Sequence, residues 1–242
     1  MALRGSDVHL PAEKATRSLV SLSGRPSPDC ALMFSGGRDS TLAAARLNDQ
    51  GQRLVLVTVT STHLVGMEQV RQRLQELARL LPRDTPWIHV RQPEELKTDT
   101  SFYDRTCLPC HHAYVVVAAV VARALRAPRL AFGYTGYQND WPEQTPLAVS
   151  RLTSVLKRHG IDLILPVYNL RSRDDAVAEL KARDLDPGSL EQKCLRQVRN
   201  IMLDAERLAQ QIDLWERAIE MSLRASPAVD VNVLRLAAVG RI

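Results

Sequence analysis

The chain has 242 residues, 45% of them hydrophobic and 24% charged, with a formal net charge of +5. That length suits one large domain or a domain with an appendage, and the balance excludes disordered, collagen-like and disulfide-rich classes. No run approaches the roughly 18 apolar residues of a membrane helix, and the N-terminus (MALRGSDVHLPAEK) lacks a signal-peptide core. The expectation is a cytoplasmic protein with no membrane partner. The positive excess is too small to mark a nucleic-acid binder by itself, yet it leaves room for a nucleotide, an RNA or an acidic protein.

Residues 1–28 read as a polar arm with three prolines and a short helix over Ala12–Leu22. Cys30–Phe34 is a short apolar run entering Ser-Gly-Gly, the pattern of a buried strand leading into a turn. Ser40–Asn48 has helical spacing with Gly51 as its stop. Strands then follow at Leu54–Thr60, Pro86–Val90, Arg129–Gly133 and Ile161–Pro166. Between them lie helices at Met67–Leu81, Cys110–Leu125 and Pro146–His159, and Asp174–Arg183 follows the last strand. Five apolar strands alternating with helices predict an α/β fold, a parallel doubly wound sheet of about five strands. From Leu190 to Ser226 the spacing of Leu195, Val198, Met202, Leu208, Ile212, Trp215 and Ile219 predicts helix without strand. The expected organisation is an arm at 1–28, the α/β domain at 29–189 and a C-terminal helical segment at 190–242.

Ligands in such sheets sit at the C-terminal ends of the strands. The first strand ends in Ser35-Gly36-Gly37-Arg38-Asp39-Ser40. Two glycines remove side chains where backbone must approach a charged group, and the free N–H groups of the next helix favour an anion. Ser35 and Ser40 add hydroxyl donors, and Arg38 an exposed cation. Asp39 would repel a phosphate unless it caps the helix or helps to hold Mg²⁺. There is no Gly-Lys-Ser/Thr, so the loop is not a Walker A sequence.

The loop resembles the Ser-Gly-Gly-x-Asp-Ser signature of the PP-loop ATP pyrophosphatases, and all five fixed positions match. The resemblance covers about residues 30–195 and implies the adenine nucleotide α-hydrolase fold. It implies ATP as cofactor, cleaved to AMP and pyrophosphate by an AMP-forming ligase. It also places adenine near Val57, Thr58 and Ser61, and Gly133 near the ribose or phosphates. Asp39, Ser40 and Arg38 are then the expected catalytic residues.

Cys107-Leu-Pro-Cys110 opens the Val- and Ala-rich helix. A C-x-x-C lets two thiolates meet one metal, and a helix N-terminus lowers thiol pKa; inert buried cysteines are the plainer reading. His111 and His112 are adjacent donors, whereas Cys30 reads as a small core hydrophobe. With Cys194, the pattern is similar to the iron–sulfur tRNA thiolation enzymes. That likeness implies a 4Fe-4S cluster on Cys107, Cys110 and Cys194; zinc on those three and a histidine is the alternative.

Gly133-Tyr-Thr-Gly-Tyr-Gln-Asn-Asp-Trp-Pro-Glu143 concentrates aromatic, amide and carboxylate groups after the fourth strand, a composition suited to a ligand wall. It resembles the 7-cyano-7-deazaguanine synthases at Tyr134, Gly136, Tyr137, Pro142 and Glu143. Arg171 or Arg173 stands near their usual lysine. That resemblance implies Tyr134, Tyr137, Asp140, Trp141 and Glu143 as substrate residues. The substrate would be a deazapurine-like acid or a macromolecule carrying one, with ammonia or an amine as acceptor and a homodimer possible. The chain lacks those synthases' four C-terminal cysteines and the thiolases' Gly-His-x-x-Asp-Asp segment. A tRNA partner with sulfur transfer is the second reading, and a non-catalytic nucleotide-binding subunit the third.

Overall fold

The computed structural model describes residues 26–96, 106–195, 201–227 and 229–239. The predicted helix at Ala12–Leu22 lies outside them. Strand β1 (Cys30–Met33) leads through the glycine loop into α1 (Arg38–Asp49), then β2 (Leu54–Thr60) and the two-residue β3 (Leu64–Val65). Next come α2 (Met67–Leu77), β4 (Pro86–Arg91), α3 (Leu108–Ala124), β5 (Arg129–Ala131), α4 (Pro146–Arg158) and β6 (Asp162–Ile164). The chain closes with α5 (Arg173–Lys181), β7 (Lys193–Cys194), α6 (Ala205–Ala225), β8 (Asp230–Arg235) and α7 (Leu236–Val239).

The central sheet has six strands in the order β6-β5-β1-β2-β4-β8. The five predicted strands are its parallel members, and β8 adds an antiparallel edge beside β4. Alternating side chains of β1 feed two cores. Ala31 and Met33 pack with α3, α4 and α6 on one face; Cys30, Leu32 and Phe34 pack with α1, α2 and α5 on the other. Running sequentially, the chain lays β2 and β4 on one side of β1 and β5 and β6 on the other. The order reverses beside β1, and a crevice opens there.

The C-terminal part differs from the helix-only expectation. Lys193–Cys194 forms a strand that pairs antiparallel with Leu64–Val65, and the long described helix of this part is α6, Ala205–Ala225. Leu195 and Met202 are 60% and 71% exposed, so they are not on the packed stripe; Ile212, Trp215, Ile219 and Leu223 form it and are buried. Asp204 caps α6 by accepting from Arg207 N. No described helix is long and apolar enough to cross a membrane.

Candidate active site at the glycine loop

The loop is held by its own hydroxyls. Gly37 N donates to Ser35 Oγ at 3.1 Å, Ser35 N to Ser40 Oγ at 3.3 Å, and Ser40 Oγ and Thr41 Oγ1 both donate to Gly37 O. Gly36 sits at φ +82°, and a Cβ there would meet Leu190 O at 2.7 Å, so the position requires glycine. Gly37 is the N-cap of α1 and no side chain caps that helix, which leaves its first N–H groups available to an anion. Asp39 is therefore not the cap. Its Oδ1 accepts from Tyr137 OH at 2.8 Å. Burial raises the Asp39 pKa, and the Tyr137 hydrogen bond and the charges of Arg38 and Arg173 pull it back, while Glu191 pushes it further up. Arg38 is half-buried, not exposed, and its Nε finds no hydrogen-bond partner among the described residues.

Gly133, just past β5, lies against this loop: a Cβ there would stand 2.6 Å from Ser40 N and 2.8 Å from the Asp39 carbonyl carbon. Thr58 lies elsewhere. Its hydroxyl is fully buried, donating to Phe34 O at 2.7 Å and accepting from Trp87 Nε1 at 2.9 Å. Val57 is likewise wholly inside the sheet, and Ser61 bonds His63 Nδ1 at 2.8 Å.

A strap over residues 186–194 crosses the loop. Arg73, whose side chain is fully buried, donates to the carbonyls of Gly36, Asp186 and Gly188 and to Glu76. Leu190 N reaches Gly36 O, and Gln192 bridges Thr60 Oγ1 and Val59 O. The strap brings Glu191 over Gly37, within 2.8 Å of where its Cβ would stand. Nothing local in Asp-Pro-Gly-Ser-Leu-Glu-Gln announced this role.

Loop, strap and the segment after β5 enclose a cleft of about 640 Å³. Of the expected substrate residues, Tyr134, Trp141 and Glu143 line it. Tyr137 instead braces Asp39, and Asp140 is exposed outside the lining. Glu143 is 1% exposed and lies 3.7 Å from His111 Nε2, whose Nδ1 meets Tyr134 OH at 2.8 Å. Burial lowers the His111 pKa, partly countered by Glu143.

Cys107, Cys110 and Cys194 also line this cleft, with His63 beside them. Helix-start geometry does not win at Cys107: burial pushes its thiol up to about 12, with Glu143, Cys110 and Cys194 adding to the rise. His63 Nε2 stands 3.4 Å from Cys110 Sγ, a contact the sequence reading missed. Three thiols and an imidazole form a soft donor set suited to zinc or an iron–sulfur cluster. Among the described residues no three His, Cys, Asp or Glu side chains stand together as a ready ligand group. Cys30 is fully buried in β1, its thiol also raised to about 12 by burial.

The chain has the adenine nucleotide α-hydrolase fold. Among solved structures, it is similar to a 4-thiouridine synthetase in complex with RNA and bound ATP. The TM-score is 0.58 at 18% identity, over 86% of this chain and 55% of that one. A U34-tRNA thiolase from Methanococcus maripaludis, with its 4Fe-4S cluster, gives a TM-score of 0.51 at 14% identity, over 88% and 76% of the two chains. This chain thus spans about half the length of the thiouridine synthetase. No protein-family model and no curated protein matches the sequence.

Proposed function

We propose that the chain uses ATP to adenylate a carboxylate or carbonyl oxygen and passes the activated carbon to a nucleophile. The observation that carries this reading is a single cleft holding the phosphate loop, an aromatic wall and a thiol corner. The substrate oxygen attacks the α-phosphorus, the α–β phosphoanhydride bond breaks, and pyrophosphate leaves. The nucleophile then attacks the activated carbon and AMP departs. The open N–H groups of α1, the Ser35 and Ser40 hydroxyls and Arg38 oppose the charge gathering on the phosphates. Mg²⁺ would enter with ATP as part of the substrate, and Asp39 would supply a carboxylate oxygen to it. Gly133 brings the β5 backbone against the loop and fixes the nucleotide's position relative to the wall.

The wall formed by Tyr134, Trp141 and Glu143 supports a flat heterocyclic acid, such as a carboxylated deazapurine, with ammonia as acceptor. The aromatic rings offer stacking faces and the buried carboxylate an acceptor for ring N–H groups. A second reading has its own observation, the thiols in the same cleft. Cys107, Cys110 and Cys194 would hold a 4Fe-4S cluster that supplies sulfide to an adenylated nucleobase in tRNA.

Pyrophosphate release from ATP, measured with carboxylated deazapurine and ammonia and separately with tRNA and sulfide, tests the proposal. AMP should form in step with product in one of the two, and Asp39→Asn should abolish it. ATP binding with no pyrophosphate under either condition would sink both readings and leave a nucleotide-binding partner subunit.

A further inference from the structure

The segment after β5 carries two short 3-10 turns, Gly136–Gln138 and Pro142–Gln144, and each closes on a glutamine that lines the cleft. Trp141 N donates to Gln138 O and Gln144 N to Trp141 O, which ties the turns in series. The frame is packed from behind. Tyr168 OH donates to Gln144 O at 2.9 Å, and a Cβ at Gly136 would meet Tyr168 O at 2.6 Å. Thr135 is fully buried and Gln144 is 5% exposed.

A hydrogen-bond chain runs through the two side-chain amides, and its first member can only donate. Thr135 N–H meets the Gln144 side chain at 2.8 Å. A backbone N–H has no lone pair to offer, so the Gln144 atom facing it is Oε1, and the amide nitrogen faces the other way. That nitrogen is again a donor only. It lies 2.9 Å from the Gln138 amide, and the atom it meets there is Oε1. Thr135 thereby fixes the sense of both amides and turns the Gln138 NH₂ away from Gln144. The Gln138 nitrogen has no hydrogen-bond partner among the described residues, and its side chain is half-buried in the cleft wall.

We infer that Gln138 is the donor that reads the substrate: its amide N–H takes an oxygen of the carboxylate or carbonyl to be activated. The substrate class rests on the adenylation reading, whereas the sense of the hydrogen bond rests on the amide chain alone. A glutamine free to flip would accept as readily as donate, and would not tell an acid from an amine of the same shape. Held in one sense, Gln138 takes an oxygen and sets N–H against N–H when an amine is offered. A site built to hydrogen-bond one group rejects the analogue that lacks it. The amide is neutral, so it orients a carboxylate without quenching the charge that makes the other oxygen a nucleophile toward the α-phosphorus. The next residue back, Tyr137, bonds Asp39, which ties this donor and the glycine loop into one frame.

The experiment is calorimetric titration of the full chain, in the presence of a non-hydrolysable ATP analogue, with a carboxylated deazapurine and with its aminomethyl counterpart. The wild-type chain should bind the acid at least about tenfold tighter than the amine. Gln138→Glu is nearly isosteric and puts an oxygen where the N–H groups were. It should lose about tenfold or more on the acid and reverse the preference, with affinity for the ATP analogue unchanged. Gln144→Glu still accepts from Thr135 N but no longer donates to Gln138, and should weaken the acid by about threefold or more. Gln138→Leu removes the donor without adding charge, and keeps the test decisive if the glutamate variant does not fold. It should weaken the acid and leave the amine as it was. An acid preference that survives in Gln138→Glu or Gln138→Leu would overturn the inference, as would a wild-type chain that does not bind the acid. Pyrophosphate release is read separately: acid held through Gln138 with no pyrophosphate released would count against adenylation and leave the donor assignment standing.

Discussion

Tyr137 OH donates to Asp39 Oδ1 at 2.8 Å, joining the segment after β5 to the glycine loop across 98 positions of sequence. That hydrogen bond lowers the carboxyl pKa against a larger rise from burial. In Tyr137→Phe the restraint is gone and the Asp39 pKa climbs further. The acid limb of the pH profile for pyrophosphate release should move to higher pH. A hydrogen bond to a charged group contributes about 1.5–3 kcal/mol, so turnover below neutrality should fall roughly tenfold or more. An unchanged profile would refute a role for the contact.

Gly133 is a site of contact and Gly51 is not. A Cβ at Gly133 runs into Ser40 N and the Asp39 backbone, whereas one at Gly51 meets nothing within 4 Å. Gly133→Ala should weaken ATP binding by about tenfold or more, equal to about 1.4 kcal/mol. Gly51, at φ +72°, should cost about 1–2 kcal/mol of stability on replacement by Ala and leave ATP affinity as it was. Calorimetric titration with a non-hydrolysable ATP analogue, beside urea unfolding, separates the two effects.

Thr58 tests where adenine sits. The sequence resemblance puts Thr58 at the adenine; the structure spends its hydroxyl on Phe34 O and Trp87 Nε1. Thr58→Val leaves the buried indole N–H without its acceptor, a loss of about 1–3 kcal/mol. Stability should drop while the KM for ATP stays unchanged. A raised KM at unchanged stability would return adenine to Thr58.

Asp29 gives a prediction in acid. Its carboxylate takes hydrogen bonds from the Arg53 guanidinium and backbone N–H, which lower its pKa from 3.8 to about 2. A depressed carboxyl contributes stability that is complete above its unfolded pKa and disappears as pH falls through the folded one. Asp29→Asn should therefore cost a constant amount above about pH 5, under about 1 kcal/mol for an exposed pair. The difference from wild type should vanish toward pH 2, as followed by urea unfolding at each pH.

The five parallel strands were legible because both faces are buried, which writes them as continuous apolar runs such as Leu-Val-Leu-Val in β2. Strand β8 was not: Asp-Val-Asn-Val-Leu-Arg has one exposed edge and only partial burial, and it pairs with a strand about 140 residues earlier. The glycine loop between strand and helix was legible because the three are contiguous. The contacts of Tyr137 with Asp39 and of His63 with Cys110 were not, since each joins segments that only the sheet order brings together. Two-residue strands such as β3 and β7 have no periodicity to read.

The buried guanidinium of Arg73 holds a carbonyl of the glycine loop and two carbonyls of the strap. Gly36 keeps its left-handed turn against Leu190, a residue 154 positions away (190 − 36). The six letters Ser-Gly-Gly-Arg-Asp-Ser are thus not a portable cassette. Grafted onto another strand–helix turn, they would carry their chemistry without the distant backbone that shapes them, and a fragment ending before residue 186 would retain the motif and lose its mould.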